Sequence, residues 1–425
     1  MPPKFIDKVT IDLAPLKKYK NFRNLWASGM VSYLGSMITY VAIPFQIKNM
    51  THSYIAVGLS GAIELAPLII FGLYGGVLAD TVDRKRMLWA TEASLMVLTT
   101  VLLLNSIQKA PSLILIYVVT GLFAAVDGLQ KPSAGAILQR LVGHDDLPSA
   151  SALMSLRFQF GVIIGPTIGG VIISSFSVSA GFAVDIISFM ISLIFLSRVG
   201  SVSVSERREK PSLAGLFEGL RYAMSRQDLL GTYLIDLAAM FFAMPNALFP
   251  FWADHLHAPW ALGFLYSAGV VGAFFVTMTS GWINSYKFHG RAIILAAVGW
   301  GIAIALAGLM HSLPLVLLFL ALAGASDMVS GLFRSAIWNQ TIPDELRGRL
   351  AGIELLSYSV GPLAGQLRAA TIASVTSLSF SVTSGGLMCV FVVVLLASFL
   401  PKLRNYDVET NEFAVEQRRI RKSIT

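Results

Sequence analysis

An all-α integral membrane protein, with about twelve spanning helices in two pseudo-symmetric six-helix bundles, is the fold class this sequence predicts. Three observations carry that expectation. The 425 residues are 55% hydrophobic and only 13% charged, about half the charge of an ordinary soluble domain. Stretches of roughly twenty apolar residues, each long enough to cross a ~30 Å hydrocarbon core, recur from Leu25 almost to Pro401. The basic residues, finally, are sorted between alternate loops. Inside a bilayer a chain must satisfy its own backbone hydrogen bonds, so each run is expected to be helical.

Apolar runs read against turn and charge signals place spans near 24–47, 54–79, 87–107, 112–138, 149–175 and 179–198. A second set falls near 229–253, 259–286, 291–311, 313–340, 348–374 and 379–400. The expected organisation is a first six-helix bundle over 1–199, a linker over 200–227, a second bundle over 228–401 and a tail over 402–425. In the linker, Ser212 is a candidate N-cap and Leu213, Leu216, Phe217 and Leu220 recur at helical spacing. That pattern predicts a short amphipathic helix on the membrane surface.

Net charge is +8, but its placement argues against a nucleic-acid partner. Of 32 Lys and Arg, 26 fall at the termini and in one alternate set of loops, and the opposite set holds only Lys48 and Lys109. Positive loops face the cytoplasm, so both termini are expected there, in a multi-pass protein of the cytoplasmic membrane. The single Cys389 lies in the last apolar run, which leaves no intrachain disulfide. The leader is polar and lysine-dotted, and the first span exceeds a signal-peptide core, so no cleavage is expected.

The two halves read as a repeat. Asp127/Asp327, Ala136/Ala336 and Ile137/Ile337 are each 200 residues apart. Both halves then carry a polar turn, His144-Asp145-Asp146-Leu147 and Pro343-Asp344-Glu345-Leu346, and reach a Gly-Pro pair, Gly165-Pro166 and Gly361-Pro362. Parallel repeats around a midplane site are a recognised transporter plan.

Two motifs sharpen this. The stretch Gly75-Gly76-Val77-Leu78-Ala79-Asp80-Thr81-Val82-Asp83-Arg84-Lys85-Arg86 resembles the major facilitator motif G-x-L-a-D-r-x-G-r-k between the second and third helices. Gly76, Leu78, Ala79, Asp80, Arg84 and Lys85 match, whereas Thr81 and Asp83 replace the family's Arg and Gly. A carboxylate and cations at such a turn suit a latch onto a neighbouring helix end, by charge and dipole. The fifth span carries Gly161, Gly165, Pro166, Gly169 and Gly170, which match the antiporter motif G-x-x-x-G-P-x-x-G-G without departure. Glycines four apart let helices approach closely, and the proline bends the span. The family's fourth-span arginine is absent, since Tyr117 stands in its place.

Longer strings, among them Ile43-Pro44-Phe45-Gln46-Ile47, Met50-Thr51-His52-Ser53 and Gly263-Phe264-Leu265-Tyr266, are similar to the enterobactin-exporter branch of the major facilitator superfamily. That branch is similar in turn to macrolide-efflux-type drug antiporters. The resemblance implies the facilitator fold and proton-driven export of siderophores or amphipathic drugs. It also implies a monomer whose partners are the small-molecule substrate, protons and the lipid bilayer.

Charges within spans are costly and mark function by default. The resemblance places helices 1, 4, 7 and 10 around a central cavity, which favours Asp127, Asp236 and Asp327, with Glu64 in reserve, as proton-coupling candidates. Lys131 and Arg334 are the candidate substrate-facing cations, and Tyr40, Tyr233, Phe241 and Phe242 the candidate aromatic lining. Asp127 and Lys131 are four apart, so they share a helix face. Glu92, Arg157, Glu354 and Arg368 lie nearer span ends and read as gate ion pairs or interfacial anchors. Asp254-His255-Leu256-His257 has too few partners for a metal site, and no metal is expected. No P-loop, nucleophile elbow, HExxH or CxxC occurs, so neither a cofactor nor an enzyme activity is expected. The rival readings are an uptake symporter, against which the Gly161 to Gly170 motif argues, and an integral-membrane enzyme, for which no acid, base or nucleophile cluster is visible.

Overall fold

The computed structural model describes residues 12–81, 83–200 and 221–424, and among them no strand occurs. Six long helices occupy the first half: α1 (Lys20–Thr51), α2 (Tyr54–Thr81), α3 (Arg84–Ser106), α4 (Leu113–Leu141), α5 (Leu147–Ser175) and α6 (Val178–Ser197). The second half supplies α7 (Gln227–Ala243), α8 (Leu262–Met278), α9 (His289–Leu309), α10 (Leu313–Thr341), α11 (Asp344–Val375) and α12 (Leu378–Phe399). A last helix, α13 (Glu412–Ile424), ends the chain. Eleven segments among the described residues are long and apolar enough to cross a membrane. The remaining long helix, α11, has 32 residues but carries Gln366 and Arg368 in its apolar stretch.

Helices start where side chains accept the otherwise unpaired amides of a first turn. Asp83 accepts from the Arg86 amide (3.0 Å), and Ser112, Ser177 and Ser377 from Leu115, Ala180 and Phe380. The 200-residue register seen in the sequence governs helix limits as well. Helices α4 and α10 start at 113 and 313 and end at 141 and 341; α5 and α11 end at 175 and 375; α6 and α12 start at 178 and 378. The last three helices of each half thus keep one register, whereas α1 and α2, with 32 and 28 residues, are longer than α7 and α8, with 17 each.

Two expected spans differ in detail. The run over 229–253 is broken: α7 stops at Ala243, and a 3₁₀ turn, Asn246–Leu248, leads into a short helix, Phe249–His255. Pro245 lies at the break, where it offers no amide to continue the ladder. The run over 259–286 is helical only to Met278, and a 3₁₀ segment, Ser280–Ser285, follows. The expected linker helix lies mostly in 201–220, outside the described residues.

The chain divides into two compact units: Met1–Ile43 with Ala66–Lys210, and Pro44–Leu65 with Pro211–Thr425. In the first unit α3 packs on α4 and α6. Its α5 meets α1 through the glycine stripe: Gly161 lies against the Tyr33 ring, Gly165 against Met37 and Gly169 against Ile38. A methyl on Gly165 would sit 2.5 Å from Met37 Cβ and 3.0 Å from the Leu34 carbonyl oxygen, so only glycine admits this approach. Leu25, Leu88, Ile137, Leu196 and Val199 form an apolar cluster joining α1, α3, α4 and α6.

In the second unit α9 packs between α10 and α12, α8 lies on α10, and α7 contacts α11 and α12. The α8–α10 crossing brings backbone against backbone at Gly269 and Gly324. On α11, Gly361 and Gly365 admit Met240 and Phe241 of α7, the counterpart of the α5–α1 contact. Cys389 is fully buried in α12, with its Sγ 3.7 Å from the Ala297 carbonyl oxygen of α9.

The tail beyond Pro401 is not a loose end. Leu403, Tyr406 and Ala414 are buried, the Tyr406 ring stacks on His289 at the start of α9 (5.9 Å), and α13 packs on α10.

Candidate transport site

In the second unit three charged groups meet inside the spans. Asp236 on α7 forms an ion pair with Arg334 on α10, and Arg334 Nη2 lies 3.8 Å from Asp327 Oδ1. Positions 327 and 334 are seven apart, so one face of α10 carries both. The Asp236 and Arg334 side chains are 4% and 13% exposed, whereas that of Asp327 keeps 41%. Two carboxylates share one guanidinium, so Asp236 is neutralised in place while Asp327 faces accessible space. Beside them Tyr233 of α7 stacks on Trp338 of α10 (5.1 Å), and the Trp338 indole donates to Thr232 (2.9 Å). Tyr233 is thereby committed to packing at 8% exposure. Phe241 and Phe242 meet edge to face at 5.0 Å. Glu64 is half-buried in the Pro44–Leu65 segment of the same unit.

The first unit holds a different arrangement. Glu92 of α3 is 7% exposed and accepts from Ser32 of α1 (3.0 Å), Gln130 of α4 (3.0 Å) and Ser192 of α6 (2.9 Å). Ser192 in turn bonds Ser28 of α1 (2.8 Å). Asp185 of α6 is fully buried and accepts from Thr39, Thr99 and Ser188. Arg157 of α5 lies within electrostatic reach of both Glu92 and Tyr33. Asp127 and Tyr40 are also within reach of Tyr33, and Tyr40 keeps 39% exposure. The Glu92 and Arg157 side chains thus belong to one polar group packed among the helices of the first unit. Lys131, the expected neighbour of Asp127, has a side chain outside the described residues, and the same holds for Glu354.

Of the facilitator-like motif, Gly76, Leu78, Ala79 and Asp80 belong to the last turns of α2, with side chains outside the described residues. Arg84 is 8% exposed at the start of α3, and the Lys85 ammonium donates to the Ser197 carbonyl at the end of α6 (3.2 Å). Nearby, Lys18 pairs with Asp146 at 2.6 Å, and Tyr19 donates to the same carboxylate (2.8 Å). The bonds to Asp146 and Tyr19 hold the Lys18 ammonium above its ordinary pKa. Asp254, read in the sequence beside two histidines, pairs with Lys48, one of the two cations of the opposite loops. Lys48 also lies over the Phe45 ring (5.3 Å).

The tail builds a further polar centre. Arg226, just before α7, makes a bidentate pair with Asp228 (2.6 and 3.1 Å), donates to the Thr341 carbonyl (3.0 Å), and is capped by the Phe413 ring of α13 at 3.6 Å. Burial works against the Arg226 charge, but the bonds from Asp228 and Tyr222 outweigh it and raise its pKa. Lys287 pairs with Glu409 (2.8 Å), which likewise raises the ammonium. Nothing in the sequence but the spacing of Leu403, Tyr406 and Phe413 among charges signals this docking. The hydroxyl partners of Glu92 carried no signal at all, because serine is common in membrane helices.

Twelve long helices in two sets among the described residues, with charges inside the spans of α7, α10 and the first unit, mark a transporter of the major facilitator type. A family model described as transmembrane secretion effector matches residues 10–421, and the chain belongs to that family. It is 28% identical over 400 residues to Enterobactin exporter EntS of Shigella boydii serotype 18 (strain CDC 3083-94 / BS512), covering 93% of this chain and 95% of that protein. Among solved structures, nucleoside transporter NupG superimposes with a TM-score of 0.72 at 10% identity, covering 91% of this chain and 100% of that one. Peptide transporter POT in complex with sulfate gives 0.70 at 12%, covering 91% and 95%. At such identities the structures speak for the fold alone. The protein is a multi-pass membrane transporter of small molecules and not an enzyme.

Proposed function

We propose that the protein exports small molecules, siderophores such as enterobactin or amphipathic drugs, across the cytoplasmic membrane by proton antiport and alternating access. It acts in this reading as a monomer with both termini in the cytoplasm. The observation that carries the coupling is the shared guanidinium of Arg334. Asp236 holds it, while the second carboxylate, Asp327, remains accessible on the same face of α10. An accessible carboxylate beside an occupied cation has two ways to be neutralised: it takes a proton, or it draws Arg334 from Asp236. Either event redistributes charge along α7 and α10, and a substrate bearing anionic or cationic groups competes for the same partners. The enterobactin exporter relative and the glycine stripe of α5 support the outward direction.

The test uses the purified chain in vesicles carrying an imposed proton gradient, with enterobactin and ethidium as probes. Wild type is expected to move at least one of them against its gradient. Asp327→Asn and Asp127→Asn are each expected to lose driven efflux, and a variant in the coupling step keeps gradient-independent exchange. Driven efflux at the wild-type rate in both variants removes these carboxylates from coupling.

A further inference from the structure

Glu92 is a buried carboxyl group to which transport through Asp236, Arg334 and Asp327 assigns no role. It stands within α3, and its three hydrogen-bond donors come from three other helices: Ser32 from α1, Gln130 from α4 and Ser192 from α6. All three are neutral. An ionised carboxylate in such a setting is tolerated only beside a cation. Among the described residues, the charged groups facing Glu92 are Arg157 from α5 and Asp185 from α6. No hydrogen bond or ion pair joins Arg157 to it among the described residues. The guanidinium lies along Gly29 of α1, its Nε has no hydrogen-bond partner, and it is within electrostatic reach of Tyr33 as well as Glu92. Tyr33 is in turn within reach of Asp127. One cation therefore stands between Glu92 and Tyr33, and Asp127 lies on from it, within reach of Tyr33.

We propose that Glu92 carries a proton in the transport cycle, and that Arg157 is a movable counter-charge shared between Glu92 and the Asp127–Tyr33 group. The proposal rests on proton antiport as proposed above and extends it to the first unit. The step itself is simple. Water delivers a proton to the Glu92 carboxylate, the carboxyl becomes neutral, and Arg157 is released toward Asp127. Loss of the proton to water draws the guanidinium back. The hydroxyls of Ser192 and Ser28, linked at 2.9 and 2.8 Å, extend the hydrogen-bonded group from Glu92 Oε2 through α6 to α1. Gln130 connects the same carboxylate to α4, three residues from Asp127, so a change at Glu92 is felt on the helix that carries Asp127.

Infrared difference spectroscopy on the purified full-length protein tests this without any substrate. Wild type is expected to show a protonated-carboxyl band that titrates with pH, is lost in Glu92→Gln and is shifted in Ser192→Ala. In vesicles, Glu92→Gln is expected to lose proton-driven efflux of the probe that wild type moves, enterobactin or ethidium, while exchange of that probe persists. A band titration in Glu92→Gln identical to wild type overturns the assignment, whatever the vesicles show. If Glu92→Gln does not fold, Ser192→Ala decides, and an unshifted band overturns the proposal. Failure of the wild type to couple efflux to a proton gradient overturns the antiport reading instead, and leaves the spectroscopic result standing on its own.

Discussion

The Asp236–Arg334 pair shows how a single residue is held by what faces it. Removing one partner of a buried pair costs on the order of 3–5 kcal/mol, because the other charge stays buried without compensation. Asp236→Ala leaves Arg334 with Asp327, at 3.8 Å, as its remaining carboxylate neighbour among the described residues. A clearly lowered unfolding temperature in detergent is expected. The double variant Asp236→Ala, Arg334→Met removes both charges, and thermal scans should show most of the loss recovered. A single variant as stable as wild type means that the pair contributes nothing to stability. The acidic members of this group stood out in the sequence, because a charge in an apolar run is conspicuous. Their partition was not legible: nothing in spacing says that Arg334 serves Asp236 first and leaves Asp327 accessible, or that Tyr233 is stacked on Trp338 and buried.

At the scale of elements, the α5 stripe and the docked tail make opposite demands. Gly165 has no room for a side chain, so Gly165→Leu must push α1 and α5 apart. Overpacking of that kind costs about 1–3 kcal/mol or more, and the folded fraction by size-exclusion chromatography should fall. Gly281→Ala, with nothing within 4 Å of the added methyl, should match wild type in the same measurement. The motif was readable because a glycine repeat has a spacing. The tail was not, because its anchors are few and set among charges. Phe413→Ala uncovers the Arg226 guanidinium and removes a cation–π contact worth about 0.5–2 kcal/mol. A fall of a few degrees in melting temperature is expected, and an unchanged melting curve shows that α13 is not held by that contact. The breaks near Pro245 and beyond Met278 escaped the reading by span, since apolar composition continues through both. Length and hydropathy report what lies in the membrane, and only local backbone chemistry reports where a helix yields.

For the whole molecule, an even number of spans and the 26-to-2 division of loop cations give one expectation. A reporter active in the cytoplasm should work when fused to the C-terminus, and one active on the opposite side when fused near Asn49. A C-terminus that reports the opposite side contradicts both the charge rule and the helix count. The 200-residue register shared by α4 with α10, α5 with α11 and α6 with α12 was visible in the sequence only as a few matching residues. Buried Cys389 has a practical consequence as well. The native thiol is fully enclosed between α12 and α9, and enclosed thiols react slowly. The natural chain thus serves as its own blank for maleimide chemistry. Fluorophores or spin labels attach to cysteines introduced at exposed positions, and no core residue has to be replaced first. Untreated wild type should remain unlabelled over the minutes in which an introduced surface cysteine reacts completely, and it should take up one label when unfolded in dodecyl sulfate.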